Sequence, residues 1–199
     1  MKLYYAPGAC SLGPHIIVNE AGLDVELNKV SFGAQRTTAD GRNFYDINPQ
    51  GAVPALELDD GEVLTEAQVL LQYLAALKPE ANLAITEGFD RWRFLEALNF
   101  IATELHKGTS PLFKKPNEEL AAATKANLVN RYQLLEQKLG DKDYLLGHFT
   151  VADAYAFVVI NWARRFDISV PAKITAYFER IRARPAVQKT LEEEGLPTK

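Results

Sequence analysis

Over the first eighty residues, short runs in which apolar and polar side chains alternate are separated by runs with helical spacing. Lys2 to Tyr5 predicts a strand, and the Pro7-Gly8 loop then leads into a helix from about Ser11 to Glu20, closed by Gly22. Pro14 is compatible with that helix only because it falls near the start, where its missing N–H has no partner to lose. Val25 to Ser31 predicts a second strand, with Val25, Leu27 and Val30 set among polar residues, and Gln35 to Arg42 reads as loop. A short helical piece follows near Phe44. Ala55 to Leu58 and Glu62 to Leu64 flank Asp59-Asp60-Gly61, the pattern of a hairpin about an acidic glycine turn. Thr65 is then expected to cap a helix on which Val69, Leu70, Tyr73, Leu74 and Leu77 recur, ending before Pro79.

From Gly88 onward the strand signals vanish. Trp92, Leu95, Leu98, Ala102 and Leu105 form one apolar stripe and Leu120, Leu128, Tyr132, Leu135 and Leu139 another, each predicting a long amphipathic helix. Val151 to Ala163 is apolar nearly all round, so its helix should be wrapped by others, and Thr150-Val151-Ala152-Asp153 supplies a variant of the capping box at its start. Ile174, Tyr177, Phe178 and Ile181 predict a further helix, and Pro185 can open a last short one. The order is β-α-β-α-β-β-α followed by an all-helical half: an α/β domain over residues 1–80 and an all-α domain over 88–199.

Composition narrows the function classes. The 199 residues are 47% hydrophobic and 24% charged, an ordinary globular balance. Twenty-two basic against 26 acidic residues give a net charge of -4, with no Lys/Arg run to follow a phosphate backbone, so nucleic acid is not an expected partner. The longest apolar stretch, Tyr155 to Ile160, is far shorter than the roughly 20 residues a membrane crossing needs, and Pro7-Gly8 interrupts the start before a secretory segment can form. A single cysteine cannot close an internal disulfide, which fits a reducing, cytoplasmic setting.

That cysteine, Cys10, stands where the first strand feeds the first helix, and unpaired helix-start amides favour a thiolate. Lowering an ordinary thiol by about two pH units takes about 2.7 kcal/mol, whereas a helix end supplies less than about 2, so a second donor is required. Cys10-Ser11-Leu12-Gly13 lacks the second cysteine of an intramolecular redox pair, so any disulfide must be with another molecule. Val53-Pro54 precedes the hairpin; composition alone makes its peptide bond trans, while a cis bond would leave Val53's backbone open to an extended ligand. Glu66 falls in the first turn of its helix, where it either serves the dipole or receives a ligand ammonium. Of the histidines, His148 reads as a loop residue, His15 as packed and His106 as a helix-end residue facing away from the stripe that ends at Leu105. No spacing resembles a metal site.

Tyr4-Tyr5-Ala6-Pro7-Gly8-Ala9-Cys10-Ser11, Asn48-Pro49 to Val53-Pro54, Leu64-Thr65-Glu66, Thr103-Glu104-Leu105-His106-Lys107 and Phe149-Thr150-Val151-Ala152-Asp153-Ala154 together resemble the bacterial beta-class glutathione S-transferases over the whole chain. The resemblance implies a thioredoxin-like N-terminal domain, a helical C-terminal domain carrying the electrophile site and much of a homodimer contact, and a cis Val53-Pro54 bond. It implies Cys10 as the active-site thiol, able to form a mixed disulfide with glutathione, and His106 across the cleft as the missing donor. Tyr5 and Ser11 would line the site, Val53 and Pro54 would pair with the cysteinyl part of the tripeptide, and Glu66 would hold its γ-glutamyl end. Lys107 would bind an anionic portion, and Asn99 and Glu104 would reach a site from the partner subunit. Ala67 replaces a serine usual in the family, which removes one hydroxyl donor worth around 1 kcal/mol. Arg36 stands where a lysine is often offered, as a possible carboxylate clamp.

The implied function is a detoxifying transferase that uses glutathione as co-substrate, with no permanently bound cofactor, and conjugates it to small hydrophobic electrophiles. Alternatives are a monothiol disulfide reductase, a glutathione-dependent dehalogenase, or a non-catalytic ligand- or protein-binding module of the same fold.

Overall fold

The computed structural model describes residues 1–33 and 35–198. It divides into two compact units, one of Met1–Ala84 with Arg184–Lys199 and the other of Ile85–Ala183. The final helix therefore departs from the expected division, because it packs with the sheet-bearing unit.

In the first unit, β1 (Lys2–Tyr5), β2 (Glu26–Phe32), β3 (Arg36–Thr38), β4 (Ala55–Glu57) and β5 (Val63–Thr65) form one sheet in the order β3-β2-β1-β4-β5. β1 and β2 run parallel, joined through helix α1 (Leu12–Ala21), and every other pairing is antiparallel. This is the thioredoxin-like arrangement. β3 occupies part of the segment expected to be loop; three residues hold too few side chains for their alternation to register, and pairing with β2 makes the strand. Gly22 ends α1 in the left-handed conformation, its N–H reaching Asn19 and Val18 carbonyls. Tyr4, Val30, Phe44, Val53 and Ala55 bury one face of the sheet. α2 (Ala67–Ala76) begins after Glu66, not on a Thr65 cap: Thr65 is the last residue of β5, in register with Ala55. α8 (Pro185–Glu194) opens at Pro185 as expected.

The second unit is helical: α3 (Asp90–Phe100), α4 (Lys107–Phe113), α5 (Glu118–Leu139), α6 (Val151–Arg165) and α7 (Ala172–Arg182). α3 and α4 are joined without a break by a π-helical turn, Ile101–His106. Phe94, Ala97, Leu98, Ile101 and Leu105 are buried at regular helical spacing, while Trp92, expected to open the stripe, falls on the other side of α3 and is 59% exposed. Leu120 is likewise outside its stripe, but Leu128, Tyr132, Leu135 and Leu139 are buried as expected. α6 is buried from Val151 through Ile160, and Ile174, Tyr177, Phe178 and Ile181 of α7 are buried too. Asp153 accepts from the Thr150 N–H (2.8 Å) and hydroxyl (3.0 Å), the Leu145 N–H (2.9 Å) and the Tyr177 hydroxyl (2.6 Å), which ties the start of α6 to the preceding loop and to α7.

Candidate active site

Register brings three of the singled-out segments to one end of the sheet. Tyr4 pairs with Ala55 and Ala55 with Thr65, so Tyr5, Pro54 and Glu66, each the next residue outward, share that edge. The Val53-Pro54 bond is cis, as the resemblance implied and against the general preference of such bonds. Cys10 lies just before α1, and its Sγ donates to the Val53 carbonyl at 3.0 Å. Ser11 does not offer its hydroxyl to a ligand: the side chain is fully buried, accepts from the Ala6 N–H (3.1 Å) and donates to the Ala6 carbonyl (3.2 Å). It fixes the loop between β1 and Cys10.

The resting thiol is the reverse of the expected anion. Part of Cys10 reaches solvent, yet burial pushes its thiol up to about 12; the amides of Cys10 and Ser11 favour the thiolate, and the Glu66 carboxylate opposes it. The helix-start effect anticipated from sequence is therefore present but outweighed by desolvation. At neutral pH only about one molecule in 10⁵ carries the thiolate.

Glu66 is exposed and has φ +68°, a left-handed backbone that costs a non-glycine residue of order 1 kcal/mol or more. It is the residue before α2 rather than within its first turn, and its side chain makes no capping bond. Ala67 is buried at the first position of that helix, where amides have no acceptor within the helix. The Arg36 guanidinium lies 4.7 Å from the Phe32 ring centre and 5.7 Å from that of Tyr45, both exposed rings. Gly51 packs beneath: a Cβ there would meet Tyr45 Cε1 at 2.5 Å and Arg36 Nη1 at 3.0 Å. Arg36 thus stands over two exposed aromatic rings.

One cluster beside Cys10 was not anticipated. His15, read as merely packed, is fully buried on α1 between two carboxylates of α8, with Nδ1 2.9 Å from Glu194 and Nε2 2.8 Å from Glu193. The second oxygen of Glu194 accepts the Gly8 N–H at 2.8 Å, so the loop leading to Cys10 is anchored to the chain's last helix. Tyr5 packs against the His15 ring, with centroids 5.7 Å apart, and burial, then Glu194 and Glu193, raise its phenol above the usual range. Sequence spacing could not reveal a pair separated by 179 positions.

In the helical unit, the π-helical turn ends at His106. The imidazole does not stand at an open helix end, because Nδ1 is 2.5 Å from the Tyr155 hydroxyl and the Trp162 ring lies edge-on at 5.0 Å. Burial, then the charge of Lys107, lowers its pKa to about 4, so it is neutral at physiological pH. Phe113 packs on Trp162 and on Phe166, extending an aromatic row from the histidine. Lys107 and Asn99 are exposed. Glu104 is engaged within its own chain, 2.9 Å from Arg131 Nε. His148, read as a solvated loop residue, is partly buried, and its Nε2 has no hydrogen-bond partner among the described residues.

Among the described residues no cluster of three or more metal-type ligands occurs, and no helix is long and apolar enough to cross a membrane.

Residues 8–77 match the family profile described as glutathione S-transferase, N-terminal domain, and residues 100–185 that of the C-terminal domain. The chain is 42% identical over 201 residues to the glutathione S-transferase GstA of Escherichia coli O157:H7, spanning 98% of this chain and all of that one. It is similar to a sphingomonad glutathione S-transferase solved with glutathione (42% identity, TM-score 0.92, covering 99% of this chain and 100% of that one). A beta-class enzyme of Sphingomonas chungbukensis matches at 39% identity and TM-score 0.91, again over 99% and 100% of the two chains.

Proposed function

Because this chain belongs to the glutathione S-transferase family, with a bacterial beta-class member among the structures it matches, we propose that it conjugates glutathione to small hydrophobic electrophiles. The observation that carries this reading is the convergence of Cys10, the Val53 backbone and an exposed, strained Glu66 at one sheet edge. An extended tripeptide can run along such an edge, its amide groups on Val53, its ammonium on Glu66 and its γ-glutamyl carboxylate on the first amides of α2.

The raised Cys10 thiol assigns the sulfurs different tasks. When glutathione binds, Cys10 keeps its proton and turns its S–H from the Val53 carbonyl to the sulfur of glutathione, stabilising that sulfur as a thiolate; the glutathione proton leaves to solvent. The glutathione thiolate attacks the electrophile, the new C–S bond forms, and the leaving group departs with the electron pair. His106 and Lys107 are assigned to the same reaction, and the aromatic row through Trp162 to the partly exposed Phe113 suits a flat apolar acceptor. Mixed-disulfide formation by Cys10 requires its thiolate and is a slow side reaction at neutral pH. That weighs against a monothiol disulfide reductase.

The enzyme acts in the cytoplasm in this reading, as a homodimer. Phe89 (70% exposed) and Trp92 (59% exposed) on the helical unit are large apolar residues of the kind such a contact covers. Retention on immobilised glutathione together with turnover of chlorodinitrobenzene tests the function. Glu66→Gln should raise KM for glutathione with little change in kcat. A chain that neither binds the resin nor turns over is a binding module instead.

A further inference from the structure

Val53 carries backbone groups that the sheet does not use. It lies two positions before Ala55, the first residue of β4, beyond the last pairing with β1 and β5, so neither neighbouring strand takes up its N–H or C=O. The residue is only 7% exposed, yet its N–H has no partner among the described residues. Buried amides are paired in the great majority of cases, and a residue left over at a sheet edge is one that an extended ligand can complete. The carbonyl of Val53 has a side chain for its partner: Cys10 Sγ, at 3.0 Å. That is within the roughly 2.7–3.2 Å of an ordinary N–H···O bond, so the sulfur stands as close as a ladder nitrogen would.

The two kinds of donor are unequal. A peptide N–H is a strong donor and a thiol S–H a weak one. A ligand residue set directly opposite Val53 exchanges two bonds with it, accepting from its N–H and donating to its C=O, as opposed residues of an antiparallel ladder do. The stronger donor takes the carbonyl. The displaced S–H needs a new acceptor, and in glutathione the cysteinyl residue brings one, because its N–H and its sulfur belong to the same residue.

We propose that the Val53 carbonyl is a specificity-determining group: it holds the Cys10 S–H until a ligand presents a peptide N–H on its sulfur-bearing residue, and that N–H releases the S–H to the ligand sulfur. This rests on the reading of glutathione as co-substrate. The selected class is thiols whose sulfur-bearing residue is acylated at nitrogen, as the cysteinyl residue of glutathione is by its γ-glutamyl group. A plain alkyl thiol brings no N–H and leaves the S–H on Val53. Burial pushes the Cys10 thiol up to about 12, so the proton stays on sulfur throughout and only hydrogen bonds are exchanged.

Cys10 is the only cysteine of the chain, so the S–H stretch of the whole protein reports one group. S-methylglutathione is the probe, since it keeps the tripeptide backbone and a sulfur acceptor and has no S–H of its own. Infrared difference spectra of the full-length enzyme are recorded at saturation established by calorimetry, with Cys10→Ala identifying the band. S-methylglutathione should move the band to higher frequency, because a thioether is a weaker acceptor than an amide carbonyl. The isomer of the probe N-methylated at the γ-glutamyl–cysteinyl amide should bind and leave the band where it is in the free enzyme. The isomer N-methylated at the cysteinyl–glycine amide keeps the donor and should move the band as the parent does. A band that stays in place or moves down with S-methylglutathione overturns the proposal, as does an equal upward shift with the donor-blocked isomer. If that isomer does not bind, the parent probe alone decides: an upward shift supports the release, and an unmoved band overturns it. The broader reading fails separately, because absence of calorimetric binding by S-methylglutathione removes the tripeptide from the site, whereas binding with an unmoved band removes only the release.

Discussion

Titrating the enzyme from pH 7 to pH 10 in the presence of a small aromatic disulfide tests the electrostatics of the site most directly. The Cys10 thiol, pushed up to about 12, is held there by burial and by the Glu66 charge, and it donates to Val53. A cysteine in water titrates near about 8.5, so at pH 7.5 about 9% of it is thiolate, against about 3 in 10⁵ for Cys10. That is a roughly 3000-fold deficit. The rarer thiolate is also the more basic one, and with a Brønsted slope of about 0.45 a difference of about 3.5 units returns a factor of roughly 40 in intrinsic nucleophilicity. Cys10 should therefore exchange with the disulfide roughly a hundredfold more slowly than free cysteine at pH 7.5. Its logarithmic rate should climb with unit slope to pH 10 without levelling. Stopped-flow absorbance of the released aromatic thiol gives the rate, and Cys10→Ala gives the baseline. A plateau below pH 9, or a rate equal to that of free cysteine at neutral pH, would refute the argument and return the sulfur to the anionic state expected from the helix start alone.

Other consequences can be checked independently. Because the folded thiol holds its proton above the pH at which an unfolded cysteine loses it, the stability it contributes is complete below about pH 8.5 and declines as pH rises toward 12; Cys10→Ala should flatten that decline in thermal melts. His106, with its pKa lowered to about 4, should show no chemical-shift titration between pH 5 and 8, and a midpoint near 6.5 would mean the imidazole is solvated. Glu194→Ala strips the partner from the buried His15 Nδ1 and from the Gly8 N–H and should cost about 3–5 kcal/mol in urea unfolding; a loss under about 1 kcal/mol would show that the network is not a strong anchor. Asp153→Ala leaves the Leu145 and Thr150 amides and the Tyr177 hydroxyl without their shared acceptor, with an expected loss of about 3 kcal/mol or more, read the same way.

What could be read from the chain follows the range of the interactions involved. Local signals located α1 between Pro7-Gly8 and Gly22, the hairpin about Asp60-Gly61 and the start of α6, because turn chemistry and capping act over a few residues. Helical spacing identified α5 and α7, but it phased the stripe wrongly at Trp92: the buried face of α3 runs through Phe94, Ala97 and Leu98, and Trp92 lies on the opposite side. The positions of Cys10, Val53 and Glu66 were legible only as a resemblance; their meeting depends on strand register, which no segment contains by itself. The sign of the thiol shift was lost for a related reason: the helix start is local and favours the anion, while burial is contributed by the whole fold and wins. His15 with Glu193 and Glu194 lay beyond any local pattern, as did the aromatic rings that Arg36 stands over.

The clasp between α1 and α8 also constrains how the molecule can be made. A ribosome that has released the β-sheet segments and α2 has still to synthesise the helix whose carboxylates meet the His15 ring and hold Gly8. During translation the Gly8 anchor therefore closes only after α8 has emerged, behind the intervening helical unit.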